Sequence, residues 1–145
     1  MTSVHRHALV MHSAEQMYRL VNDIESYPKF LPWCSGARII SCGEQEIVAS
    51  LDVAKAGVKK TFTTCNRLLE NQTVDMTLVD GPFQQLAGGW VFTALNAEAC
   101  KVELQLDFEF SGQLMAMMLG PVFNEAANTM VAAFCKRADE IYGAG

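Results

Sequence analysis

The chain has no Cys-x-x-Cys pair, no Gly-x-Ser-x-Gly elbow, no phosphate-cradling glycine loop and no dinucleotide glycine pattern. The five cysteines, Cys34, Cys42, Cys65, Cys100 and Cys135, are odd in number and widely spaced, which argues against a disulfide framework and a structural zinc site. The missing glycine and serine motifs remove the usual signatures of hydrolases, nucleotide-binding loops and dinucleotide folds. No stretch approaches the ~20 apolar residues of a spanning helix, and Leu114–Leu119 is far too short. Met1–Met11 carries His5, Arg6 and His7 and no leader-like apolar run. Positive charge is also scarce: 11 Lys and Arg stand against 16 Asp and Glu, a net charge of −5, whereas a general nucleic-acid binder is usually basic. The expectation is one domain over residues 1–145, in the cytoplasm, with its thiols reduced.

What the chain has is apolar patterning. Half of its residues are hydrophobic. Gly112–Tyr142 reads as one long C-terminal helix with a break at Gly120-Pro121, because Pro121 suits a first helical position and would kink an uninterrupted helix. Phe123, Ala127, Met130, Phe134 and Ile141 recur at helical spacing. Near the other end, Val4–Met11 alternates as a strand, and Ser13-Ala-Glu-Gln16 has the form of a capping box before a helix with Met17, Leu20, Val21 and Ile24 on one face. Pro28 and Pro32 stop that helix and leave a short second helix or turn through Tyr27–Trp33.

From Gly36 the period becomes two. Strands are predicted at Arg38–Ser41, Ile47–Ala54, Val58–Leu69, Val74–Val79, Leu86–Ala94 and Lys101–Phe110, with turns at Lys55–Gly57, Glu70–Gln72, Asp80–Pro82 and Asn96–Ala99. Gly88-Gly89 suggests a bulge or bend. Short turns between consecutive strands imply antiparallel pairing, and helices kept to one face make the class α+β. The predicted architecture is a curved sheet of about seven strands around the long helix, with two short helices after the first strand.

Polar constellations are weak. Glu103, Asp107 and Glu109 share a strand face at about 7 Å per two residues, within range of a carboxylate pair, but opposite the aromatic face and so in water. His5, His7 and His12 have no third ligand cluster near them. Lys55, Lys59, Lys60 and Arg67 lie in a stretch without acids, as a solvated hairpin edge or as a contact for an anionic surface.

The aromatic clusters carry more information. Tyr27–Cys34 packs Tyr27, Phe30 and Trp33 with Leu31 between two prolines. Phe83, Leu86, Trp90 and Phe92 follow Asp80-Gly-Pro82, and the face Leu104, Leu106, Phe108 and Phe110 alternates cleanly. These residues, with Met118, Val122, Met130 and Phe134 of the helix, are the candidate lining of a ligand cavity of ~300–1,000 Å³. Tyr27–Cys34 and Asp80–Phe83 are its candidate mouth, with Tyr27, Trp33 or Trp90 as polar donors.

Phe30-Leu-Pro-Trp-Cys34, Val79-Asp-Gly-Pro-Phe83, Trp90-Val-Phe92, Phe108-Glu-Phe110 and Met130-Val-Ala-Ala-Phe134 with Arg137 resemble the coenzyme-Q-binding branch of the START-like (polyketide cyclase/dehydrase-like) superfamily, and more closely its ribosome association toxins, over Val4–Tyr142. The resemblance implies a helix-grip fold with a cavity between sheet and helix. It implies ubiquinone as bound ligand, no required cofactor and no catalysis, in support of respiration as a carrier or chaperone. It equally implies the alternative, a toxin that binds the large ribosomal subunit, blocks subunit joining and so inhibits translation. Gln84 stands where relatives often carry lysine, which leaves any charge-dependent role there in doubt. A polyprenyl tail outgrows such a pocket, so membrane contact at the inner face or a homodimer is expected at its mouth.

Overall fold

The computed structural model describes residues 1–55 and 57–143, so the expected Lys55–Gly57 turn lies in part, at Ala56, outside the described residues. The order is β1 (Thr2–Val10), α1 (Ala14–Asn22), a 3₁₀ helix (Ile24–Lys29), β2 (Cys34–Cys42), β3 (Glu46–Lys55), β4 (Val58–Leu69), β5 (Thr73–Asp80), β6 (Phe83–Asn96), β7 (Ala99–Phe110) and α2 (Gln113–Tyr142). The strands form one seven-stranded sheet in the order β1-β7-β6-β5-β4-β3-β2, antiparallel throughout. The α+β sheet around a long helix read from the pattern, and the helix-grip fold that the resemblance implies, are the ones observed.

The local chemistry explains the elements. Ser13 Oγ accepts from the Gln16 N–H at 3.1 Å and Gln16 Oε1 accepts from the Ser13 N–H at 2.9 Å, closing the capping box that starts α1. Met17, Leu20, Val21 and Ile24 are buried as one face. In β7, Val102, Leu104, Leu106 and Phe108 are buried. Glu103 meets His5 at 3.2 Å and Asp107 accepts from Ser3 Oγ at 2.6 Å across the β1–β7 ladder. The acids are thus partners of the neighbouring strand, on the face turned away from the core.

Two expectations need correction. The long helix does not break: α2 runs for 30 residues through Gly120-Pro121. An interior proline removes one helical hydrogen bond, but Pro121 faces solvent while Leu119, Val122 and Phe123 around it are buried. Packing on both sides of the proline holds the helix in line. Nor is there a register shift at Gly88-Gly89, where the β5–β6 and β6–β7 pairings run straight through. The glycines allow close backbone approach instead: a Cβ on Gly88 would stand 2.0 Å from the Gln105 carbonyl oxygen, and one on Gly89 2.3 Å from that of Val74.

Helix α2 lies against β1, β7 and α1. Arg6 donates to Asn128 Oδ1 from Nε (3.1 Å) and Nη2 (2.7 Å), and buried His12 meets Asp139 Oδ1 at 2.7 Å near the other end of the helix. The half of the inner sheet face formed by β3, β4 and β5 is left for something else.

Candidate functional site

That space is a cavity of about 60 Å³. Its lining comes from the 3₁₀ segment and the turn after it (Ile24, Tyr27, Trp33), from the inward faces of β3 (Ala49, Leu51), β4 (Phe62, Thr64, Asn66), β5 (Met76), β6 (Leu86, Trp90) and β7 (Leu106), and from α2 (Phe123, Met130). Strand register assembles it. Asn66 pairs with Met76, Met76 with Gly88 and Gly88 with Leu106, so one row crosses four strands. Gly88 adds no side chain to that row, between inward Leu86 and Trp90.

Two aromatic clusters meet the cavity. Phe62, Phe83, Phe108, Phe110 and Phe123 form the first, with ring centroids 4.8–6.4 Å apart. Tyr27, Phe30, Trp90, Phe92 and Phe134 form the second, in which Phe134 stands edge-on to Tyr27 (5.3 Å), Phe30 (5.0 Å) and Trp90 (5.0 Å). The Arg137 guanidinium lies 5.3 Å above the Phe30 ring. The lining includes no carboxylate, imidazole, amine, guanidinium or thiol. Its polar atoms are few. The Tyr27 hydroxyl donates to the Val21 carbonyl, and burial pushes its pKa well above the ordinary phenol value. Thr64 and Asn66, 8% and 7% exposed, are adjacent on the inward face of β4, and the Thr64 hydroxyl donates to Asn66 Oδ1 at 2.9 Å.

Of the residues proposed from sequence, Tyr27, Trp33, Leu86, Trp90, Leu106 and Met130 line the cavity. Leu31, Phe83, Phe92, Phe108, Val122 and Phe134 are buried, and Phe30 and Phe110 half-buried, one layer behind it. Met118 is 42% exposed and forms no wall, because the first turns of α2, with Leu114 and Met117, project beyond the sheet. The candidate mouth also changes. Trp33 and Phe83 are buried, Tyr27–Trp33 and Phe83 belong to different aromatic neighbourhoods, and the Tyr27 hydroxyl is already committed. The cavity is much smaller than the ~300–1,000 Å³ of a ligand site; at ~30 Å³ per water it holds about two waters.

The pattern missed Ile24, Ala49, Leu51, Phe62, Thr64, Asn66, Met76 and Phe123. The signal for the polar pair was their parity with Phe62 and Leu68 on β4. It was obscured because Thr61, Thr63 and Arg67 make the other face polar as well.

The basic residues do not form one patch. Lys55 Nζ is 3.1 Å from Glu125 Oε2 of α2, and Lys59 lies near Asp52. Lys60 points to the opposite face of β4 from Lys59, and Arg67 is eight residues along the strand from Lys59, about 26 Å at ~3.3 Å per residue. A wider depression of about 540 Å³ near His12, Arg19, Glu98 and Tyr142 is polar and open to solvent, and its histidine is taken by Asp139. The apolar cavity is the better candidate site. Among the described residues no three His, Cys, Asp or Glu side chains gather as metal ligands.

Comparison with known proteins agrees with this geometry. Residues 10–135 match the family described as polyketide cyclase / dehydrase and lipid transport. The chain is 54% identical over 144 residues to the ribosome association toxin RatA of Escherichia coli, covering 99% of this chain and 91% of that protein. It is 30% identical over 135 residues to the mitochondrial coenzyme Q-binding protein COQ10 homolog B of Xenopus laevis, covering 90% of this chain and 55% of that protein. The Zhui aromatase/cyclase of a Streptomyces species has the same fold, with a TM-score of 0.84 at 19% identity over 96% of this chain and 94% of that one.

Proposed function

The chain belongs to the polyketide cyclase/dehydrase and lipid transport family, and on that premise we propose that it holds a flat, apolar, ring-bearing ligand of the ubiquinone type in its sheet–helix cavity without transforming it. The observation that carries this reading is the lining: aromatic and aliphatic walls, one buried amide–hydroxyl pair, and no group suited to general acid–base chemistry. No separate cofactor enters the reading. A ring does not fit 60 Å³, so binding requires the walls to part. Met76 and Met130 are the half-buried, flexible side chains whose rotation enlarges the space at least cost. Native mass spectrometry of the purified protein, with extraction of any bound lipid, tests the reading. Titration with decylubiquinone is its counterpart in solution, and Trp33 and Trp90 in the wall should be quenched. Absence of both co-purified lipid and quenching would overturn it.

A second reading rests on a different observation. Full-length identity of 54% to a protein named for ribosome association supports a ribosomal partner and a cytoplasmic site of action. No helix among the described residues is long and apolar enough to cross a membrane. The contact would use exposed basic groups such as Lys59 and Arg67, outside the cavity, so the two readings are compatible. Co-sedimentation with the large subunit should fall steeply with salt as phosphate contacts release counterions, and Lys59→Glu with Arg67→Glu should weaken it. No co-sedimentation at low salt would remove this reading and leave the first intact.

A further inference from the structure

We propose that Thr64 and Asn66 are the polar anchor of the cavity and that they select a ring carrying a carbonyl oxygen over an apolar ring. The inference rests on the ligand reading above and assigns its specificity. Both side chains are more than nine-tenths buried in an otherwise apolar wall. A primary amide offers two N–H donors and two acceptor lone pairs. Among the described residues only one of these is engaged, the bond from the Thr64 hydroxyl to Asn66 Oδ1. Asn66 Nδ2 makes no hydrogen bond to them, and it is not one of the sealed, unpartnered atoms, which are Asn22 Oδ1 and Arg137 Nε. The amide nitrogen therefore keeps accessible surface, on a residue that lines the cavity.

An unpartnered buried donor is costly, so something in the cavity must accept from it. In the unliganded protein water can do so. A ligand that displaces this water keeps the bond only if it brings an acceptor. The Thr64 proton is already directed at Asn66 Oδ1, so the pair offers donors to an incoming group. A carbonyl oxygen suits that arrangement; a phenolic hydroxyl can also engage the pair, its oxygen accepting from the amide and its proton going to the second Oδ1 lone pair, whereas an apolar ring leaves the amide unpartnered. Trp90 and Phe62, from the two aromatic clusters, supply flat apolar surface around such a ring. The pair thus distinguishes an oxygen-bearing ring from an apolar one.

The test titrates the intact protein with decylubiquinone, with decylubiquinol under argon and with decylbenzene, following tryptophan fluorescence or competition. The quinone should bind about tenfold more tightly than decylbenzene, the scale of one net hydrogen bond, and the quinol, whose hydroxyls also reach the pair, should likewise bind more tightly than decylbenzene. Asn66→Leu, close in volume, should weaken quinone binding about tenfold and leave decylbenzene binding unchanged or improved. Equal quinone affinity in parent and Asn66→Leu would overturn the anchor while the pocket reading stands. Failure of both quinone and decylbenzene to bind the parent would overturn the pocket reading and the anchor with it. Should Asn66→Leu not fold, proton–nitrogen correlation spectra of the parent serve instead. The Asn66 side-chain amide signals should shift with quinone and not with decylbenzene, and unmoved signals at quinone saturation would overturn the proposal.

Discussion

The phenylalanine cluster of Phe62, Phe83, Phe108, Phe110 and Phe123 and the mixed cluster of Tyr27, Phe30, Trp90, Phe92 and Phe134 both reach the cavity, but they are held by different means. Strand register mounts the first: Phe83 pairs with Phe110, Leu86 with Phe108, and Leu51 with Phe62. The second takes Trp90 and Phe92 from the β6 ladder and Phe134 from α2, but its Tyr27 and Phe30 depend on the 3₁₀ segment, tied down by a few bonds such as the Leu31 N–H to Tyr27 O at 2.9 Å and the Ala54 N–H to Trp33 O at 2.9 Å. It also carries polar handles that the first lacks, the Tyr27 hydroxyl and the Arg137 cation over Phe30. Apolar area alone does not distinguish a wall from a gate. A ladder-mounted ring resists movement, while a ring on a short turn moves when a few bonds open.

Substitution should expose that difference, and the largest effect is expected at Phe134. It is fully buried between Tyr27, Phe30 and Trp90, so Phe134→Ala should cost about 4 kcal/mol in urea unfolding. Phe123 packs against four rings but already borders the void, where part of its surface has no partner atoms to lose. Phe123→Ala should cost less, about 3 kcal/mol, and should tighten decylubiquinone binding by enlarging the cavity. Equal costs at the two positions, with no change in binding, would break the comparison.

Tyr27→Phe sharpens it further. The fold loses one donor to the Val21 carbonyl, at about 1 kcal/mol near neutral pH. Burial raises the Tyr27 pKa above its ordinary value of 10.0, so the folded form holds its proton where the unfolded chain releases it, and stability falls as pH rises above 10. Tyr27→Phe should flatten part of that alkaline loss in denaturation curves. The remainder belongs to other groups that burial raises, among them the Cys34 and Cys100 thiols, which it pushes up to about 11.

The smallest effect is the control, outside both clusters. Asp52 accepts from Thr61 at 2.6 Å and from Arg38 at 3.1 Å, which holds its carboxyl below the ordinary range, chiefly through the Thr61 bond. Its contribution is present above the unfolded pKa and is lost as pH falls through the folded one. Asp52→Asn should cost about 0.5 kcal/mol at pH 7, as expected for an exposed pair. The difference from the parent should shrink in acid, with quinone binding unchanged. A change in binding would mean that the outer face couples to the cavity.

The sequence by itself determined the elements, since each rests on local chemistry. The capping box at Ser13 and Gln16, the alternation of Val102, Leu104, Leu106 and Phe108, and the turn residues Asp80-Gly-Pro82 are signals within a few residues of one another. They were enough for the strand count, the antiparallel pairing and the α+β class, while the helix-grip fold was implied by the resemblance. Tertiary structure alone decided where the emptiness lies. Phe108 and Leu106 share one strand face, yet only Leu106 meets the cavity, because α2 packs directly on β7 and β1 and leaves a space between itself and the inward faces of β3 to β5. It also decided that Asn66 looks inward, since both faces of β4 carry polar residues and only burial of Phe62 sets the parity. A helix's continuity past Pro121, like a cavity's volume, depends on packing between residues far apart in the chain, and no local pattern encodes it.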